Sequence, residues 1–157
     1  MKNRIGVYVC MCGSNISDYV NVEKVKEAAL TVEGVALAKT TMFACSDSTQ
    51  QEIANDIKEQ KLDAIIVASC SPKLHLFTFR NVAIQAGLNP YNYVQVNIRE
   101  QGSWAHSDNK PKATEKAIQL VLGGIARVKH SKELEMVKIH SENSVAVVGA
   151  GVAGMRA

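Results

Sequence analysis

The chain has 157 residues, 46% of them apolar and only 5% aromatic, with a formal charge of +3. That is about one domain, too apolar for a disordered segment, with a core that must be assembled from Val, Ile, Leu and Ala. No dense Lys/Arg block with interleaved aromatics argues for nucleic acid, no apolar run is long enough to cross a bilayer, and no charged-then-apolar leader opens the chain, so a soluble cytoplasmic protein is expected.

Residues Ile5–Cys10, IGVYVC, form the short continuous apolar run that suits a strand buried on both faces of a parallel sheet. After a loop over 13–20, Asn21 is placed to cap a helix that carries Val22, Val25, Ala29 and Val32 at helical spacing and ends at Gly34. A second strand is expected over 35–44, with Cys45 at its end. Ser48 and Gln51 then have the spacing of a capping box, and Ile53 with Ile57 forms the inner face of the next helix.

The run 62–69 contains AIIVAS, the clearest buried strand in the chain, and Cys70 sits where it ends. Ser71 followed by Pro72 is a helix start, and Leu76, Phe79, Val82, Ala83 and Ala86 supply the apolar stripe up to Gly87. Residues 92–98 alternate apolar and polar side chains, as an edge strand does, and a loop over 99–110 follows. Pro111 opens a long helix with Ala113, Ala117, Leu120, Val121 and Ile125 on one side; the pair Gly123-Gly124 either weakens it or permits a close approach.

Four alternations of strand and helix over roughly 130 residues predict an α/β fold, a flavodoxin-like or Rossmann-like parallel sheet of about four strands flanked by helices. Residues 1–130 are expected to form this domain and 131–143 a polar linker with a short strand at 136–139. Residues 144–157, SVAVVGAGVAGMRA, read as the truncated start of a second domain.

The four cysteines, Cys10, Cys12, Cys45 and Cys70, all fall at the carboxyl ends of the first three predicted strands, the edge where open parallel sheets carry their sites. Any one of them alone suits a small buried hydrophobe. Cys10 and Cys12 with Gly13 do not, because the chain is leaving the sheet there. In an extended chain the two cysteines of Cys-x-Cys lie roughly 6.5 Å apart at Cα with side chains on one face, near the upper limit for a disulfide and suited to two bonds to one metal centre. Four thiolates suit tetrahedral zinc or a four-iron cluster, and the spacing matches neither zinc ribbons nor the bacterial ferredoxin run. Helix N-termini after Cys45 and Cys70 favour an anionic centre. Lys73, His75, Arg80 and Arg99 are expected near it, His75 as an additional ligand candidate. A structural zinc module and a thiol or persulfide redox domain remain the alternatives to an iron–sulfur site.

Residues Gly149, Gly151 and Gly154 make a G-x-G-x-x-G turn after the apolar VAVV, the context in which that motif cradles a pyrophosphate. The acidic ribose contact about 20 residues further on falls beyond Ala157, so this segment alone is not expected to bind a dinucleotide.

The segments VCMCGSNI, FACSDSTQ, VASCSPKLHLFTFR, AGLNPY, NIREQGSWAH and VVGAGVAGM together resemble the A subunit of heterodisulfide reductase, the flavin-containing iron–sulfur subunit of methanogens and related anaerobes. The resemblance implies a [4Fe–4S] cluster on cysteines outside the ferredoxin pattern, with Cys10, Cys12, Cys45 and Cys70 as ligand candidates. It also implies that Gly149, Gly151 and Gly154 begin an FAD site in a longer, thioredoxin-reductase-like protein. In such a protein the flavin splits electron pairs, while the present segment carries electrons rather than catalysing. Implied partners are the other heterodisulfide reductase-type subunits, ferredoxin, hydrogenase or dehydrogenase subunits that deliver electrons, and a second copy in a homodimer. One departure stands out: the family often carries a cysteine in the segment matching NIREQGSWAH, where this chain has Gly102.

Overall fold

The two runs that are apolar throughout, IGVYVC and AIIVAS, are buried along their whole length and form the centre of the sheet. In the computed structural model, which describes residues 4–135, 137, 139–142 and 144–156, β1 (Ile5–Cys10) lies between β2 (Val35–Thr41) and β3 (Ala64–Ser69), and β4 (Tyr93–Asn97) completes the order β2-β1-β3-β4. Every pairing is parallel. The edge strands β2 and β4 are only partly buried, as their mixed sequences require.

Four helices connect and cover the strands: α1 (Val22–Leu30), α2 (Asp47–Glu59), α3 (Pro72–Gln85) and α4 (Lys110–Lys129). Helices α1 and α4 pack on each other and so do α2 and α3, the arrangement that right-handed crossovers in this strand order produce on opposite faces of the sheet. The core is the aliphatic one the composition demands, with Ile5, Val7, Val9, Ile53, Ile65, Ile66 and Ile125 almost without solvent contact.

The predicted caps hold for α1 and α3. Asn21 Oδ1 accepts from the Lys24 amide at 3.1 Å, and Ser71 Oγ from the Lys73 amide at 3.3 Å with Pro72 in the first turn. Helix α2 departs from the expected box at Ser48 and Gln51: its cap is Ser46, whose Oγ accepts from the Thr49 amide. The cause is upstream. Strand β2 stops at Thr41, opposite Cys10, rather than running to residue 44, because the β1 chain turns away through the left-handed Cys12 and Gly13 and the ladder closes with the Met11 and Gly13 amides on Thr41 O and Met42 O. The freed chain over 42–46 then turns and starts the helix two residues earlier.

The expected loop over 99–110 contains a π-helical turn, Arg99–Ser103, held by the Ser103 amide donating to Ile98 O at 3.0 Å and the Trp104 amide to Arg99 O at 2.9 Å. Residues 145–148 form no strand among the described residues, since a strand exists only as part of a ladder and none is offered to them. The short strand expected at 136–139 includes Met136 and Lys138, which lie outside the described residues. A five-residue helix, α5 (Val152–Arg156), follows the glycine turn.

The two adjacent glycines of α4 differ. A Cβ on Gly123 would meet nothing within 4 Å, whereas one on Gly124 would lie 2.4 Å from Val96 Cγ2, so Gly124 is the point where α4 closes onto β4. Gly123→Ala is therefore expected to gain up to about 1 kcal/mol from helix propensity. Gly124→Ala is expected to lose about 1–2 kcal/mol, because buried, β-branched Val96 is stiff at χ1 and yields little space. Urea unfolding of the two variants checks this, and a Gly124→Ala protein as stable as the parent contradicts the close packing.

Candidate metal centre

In the order β2-β1-β3-β4, α1 carries the chain outward from β1 to β2 and α2 brings it back past β1 to β3. The carboxyl ends of β1 and β3 therefore flank the switch point at which sheets of this topology hold ligands. Cys10 is the last residue of β1 and Cys70 the first after β3. Cys12 and Cys45 come from the loops after β1 and β2, and all four cysteines line one cavity of about 40 Å3, together with Phe43, Ala44, Ser69, His75, Phe79 and Arg99. That is room for a few water-sized groups.

All four thiols are free. Cys10 and Cys70 are buried, Cys12 is half-buried and Cys45 is exposed, so the cavity has a dry floor and one solvent-facing side. Cys45 and Cys70 each sit directly before a helix cap, Ser46 and Ser71, and so face the positive ends of α2 and α3, as expected from the chain.

The geometry of Cys10 and Cys12 differs from the extended pair expected. Cys12 has φ +52° and Gly13 φ +63°, so the chain turns through two consecutive left-handed residues and the two cysteines do not share a strand face. A non-glycine residue in that conformation is strained, and such residues concentrate at functional sites. The turn aims the Cys12 amide at Cys10 Sγ, 3.2 Å away, and the Ala44 amide donates to the same sulfur at 3.3 Å. Cys12 Sγ accepts from Arg99 Nη1 at 3.3 Å, and Gln95 Nε2 approaches Cys70 Sγ at 3.9 Å. Burial pushes the Cys10 thiol up to about 11, with the amide donors of Ala44 and Cys12 acting in the opposite direction. Burial also raises Cys70, against the pull of nearby Arg99.

Of the charged residues expected nearby, His75 and Arg99 line the cavity. Lys73 and Arg80 do not; the Arg80 guanidinium lies over the Tyr91 ring, 5.3 Å from its centroid. Gln95, which the alternation of β4 marked only as a polar strand residue, also donates to Cys70 O at 3.0 Å. Glu100 pairs with Arg99 at 2.8 Å. Gly102 is buried in the π-helical turn, and a Cβ there would lie near Ile98 and Ala117, so this position faces α4 rather than the thiols.

The glycine motif forms a turn of its own. Gly149 has φ +122°, and a Cβ on Gly154 would lie 2.0 Å from Gly149 O, so the turn closes only with glycine there.

No protein-family profile matches the chain. Curated proteins do. Over 154 residues, 98% of the chain, it is 47% identical to the A subunit of the ferredoxin/F420H2-dependent CoB-CoM heterodisulfide reductase of Methanosarcina acetivorans, covering 19% of that protein. It is 43% identical over its full 157 residues to the iron–sulfur A subunit of the CoB–CoM heterodisulfide reductase of Methanocaldococcus jannaschii, covering 24%. Against the A subunit of the H2:CoB-CoM heterodisulfide,ferredoxin reductase of Methanothermobacter marburgensis it is 45% identical over 154 residues, covering 23%.

The chain is a homologue of the heterodisulfide reductase A subunit. It spans about a fifth to a quarter of the length of these relatives. In this homologue, the segment that gathers the four cysteines lies inside the matched region, and no helix among the described residues is long and apolar enough to cross a membrane.

Exposure and protonation together rank the thiols of the metal-free chain. With its thiol raised to about 11, Cys10 is deprotonated in only about 3 molecules in 10,000 at pH 7.5, and it is buried as well. Iodoacetamide at that pH is expected to modify Cys45 at least about tenfold faster than Cys10, the gap narrowing as pH approaches 11. Peptide mass spectrometry over a time course reads the order, and equal rates at pH 7.5 contradict the geometry.

Proposed function

We propose that Cys10, Cys12, Cys45 and Cys70 ligate a [4Fe–4S] cluster and that this domain is an electron-transfer module. The observation that carries the reading is the convergence of four free thiols on one cavity at the switch point of a parallel sheet. Two features support it. The sulfurs of Cys10 and Cys12 accept N–H hydrogen bonds, as thiolates bound to a cluster do. Helix N-termini at Cys45 and Cys70 and the Arg99 guanidinium suit an anionic group. When bound, such a cluster accepts and donates single electrons. Cys10 and Cys70 would hold it from the buried floor of the cavity and Cys45 from the solvent-facing side.

The names of the relatives support the wider reading: one is called an iron–sulfur subunit, and others are named for ferredoxin or H2. We read this chain as part of the A subunit of a heterodisulfide reductase-type, electron-bifurcating complex in the cytoplasm, where it exchanges electrons with an FAD whose site begins at Gly149, Gly151 and Gly154.

Anaerobic reconstitution with iron and sulfide is expected to give a broad visible band near 400 nm that bleaches with dithionite. Cys70→Ser and Cys45→Ser should each lose most of that band. Because Cys45 is exposed, Cys45→Ser leaves the metal-free fold unchanged by circular dichroism, so its loss reports ligation. Parent-like bands in both variants contradict the ligand set.

A further inference from the structure

We propose that Arg99 is a positioning residue that sets the reduction potential of the cysteine site by holding one cation against Cys12, with Glu100 as its counterweight. The inference rests on the cluster reading above and deepens it.

Arg99 stands at the start of the π-helical turn, an element rare in proteins and concentrated at functional sites. Its Nη1 donates to Cys12 Sγ at 3.3 Å, and its Nη2 to Glu100 Oε1 at 2.8 Å. The guanidinium also lies against the exposed Trp104 ring, 4.6 Å from its centroid. Three contacts of different kinds thus hold a planar fork that a lysine could not reproduce. The turn beneath it is fixed in both directions: Ser103 Oγ donates to Asn15 O at 2.8 Å, tying the turn to the loop that carries Cys12, and Gly102 packs toward Ala117 of α4.

Two buried atoms in this group have no hydrogen-bond partner, Arg99 Nε and Glu100 Oε2. A buried polar atom left unpaired costs free energy and calls for an explanation, a redox role or a bound group among them. The pair is also asymmetric: the guanidinium donates to the Cys12 sulfur, while the carboxylate accepts from the guanidinium and from no thiol. A salt bridge serving only the fold has no reason to point one member at a thiol.

Reduction adds one electron, hence one negative charge, to the thiolate-bound group, with no bond or proton moved; the reductant in the test is dithionite. A cation in hydrogen-bond contact with a ligating sulfur stabilises the more negative state, and a nearby carboxylate opposes it. Removing Arg99 must therefore lower the potential and removing the charge of Glu100 must raise it. A purely structural pair gives no such opposite signs.

The experiment is a mediated redox titration of the reconstituted full chain, followed by visible absorption and electron paramagnetic resonance. At the parent midpoint potential, Arg99→Gln is expected to shift the reduced-to-oxidised ratio about tenfold toward oxidised, 59 mV for one electron. Glu100→Gln is expected to shift it toward reduced, and Arg99→Lys to recover part of the loss. If Arg99→Gln fails to take up iron, Glu100→Gln decides: a raised potential supports the inference and an unchanged one overturns it. Shifts of the same sign, or none, in variants that hold a full cluster overturn this inference alone. A parent chain that takes up no iron and sulfide overturns the cluster reading and this inference with it.

Discussion

All four strands of the sheet run in one direction, so whatever the chain places just after a strand is delivered to a single edge. That constraint creates the site. Cys10, Cys45 and Cys70 are separated by 35 and 25 residues in sequence, yet each ends its strand or follows it by at most a few residues and therefore lands at the same end. The crossover that sends β2 to one side of β1 and β3 to the other opens the crevice between them. The aliphatic core serves this arrangement by burying β1 and β3 completely, which fixes their register and with it the heights of Cys10 and Cys70.

Burial and hydrogen bonding act against each other at the floor of the cavity. Removing Cys10 from water disfavours its thiolate, while two backbone amides aimed at its sulfur favour it. Those amides are in place because the Cys12–Gly13 turn adopts a left-handed conformation and because β2 ends at Thr41, which frees the Ala44 amide. Local strain and an early strand end, each unfavourable for regular structure, thus combine to make one sulfur a ready acceptor. Arg99 does the same for Cys12.

The sheet was legible because its signals are local: apolar runs for β1 and β3, Asn21 and Ser71-Pro72 for two helix starts. The common edge followed from the parallel topology alone, so the convergence of the four cysteines could be read from the chain. What escaped depended on long-range partners. The length of β2 is set by where β1 stops, and that moved the start of α2 from Ser48 to Ser46. The π-helical turn leaves no periodic trace in REQGS, so Arg99 was legible only as a nearby charge, not as a donor to Cys12. Nothing in the sequence of the Cys-x-Cys pair but Gly13 marks the turn, so an extended pair is what its spacing predicts. Position 102 invited comparison with a thiol, yet it faces α4, and the four cysteines line their cavity without it.

The most direct measurement is the metal and sulfide content of the chain prepared without oxygen. The account predicts about four iron and four acid-labile sulfide per chain. A colourless protein carrying one zinc and no sulfide would contradict it.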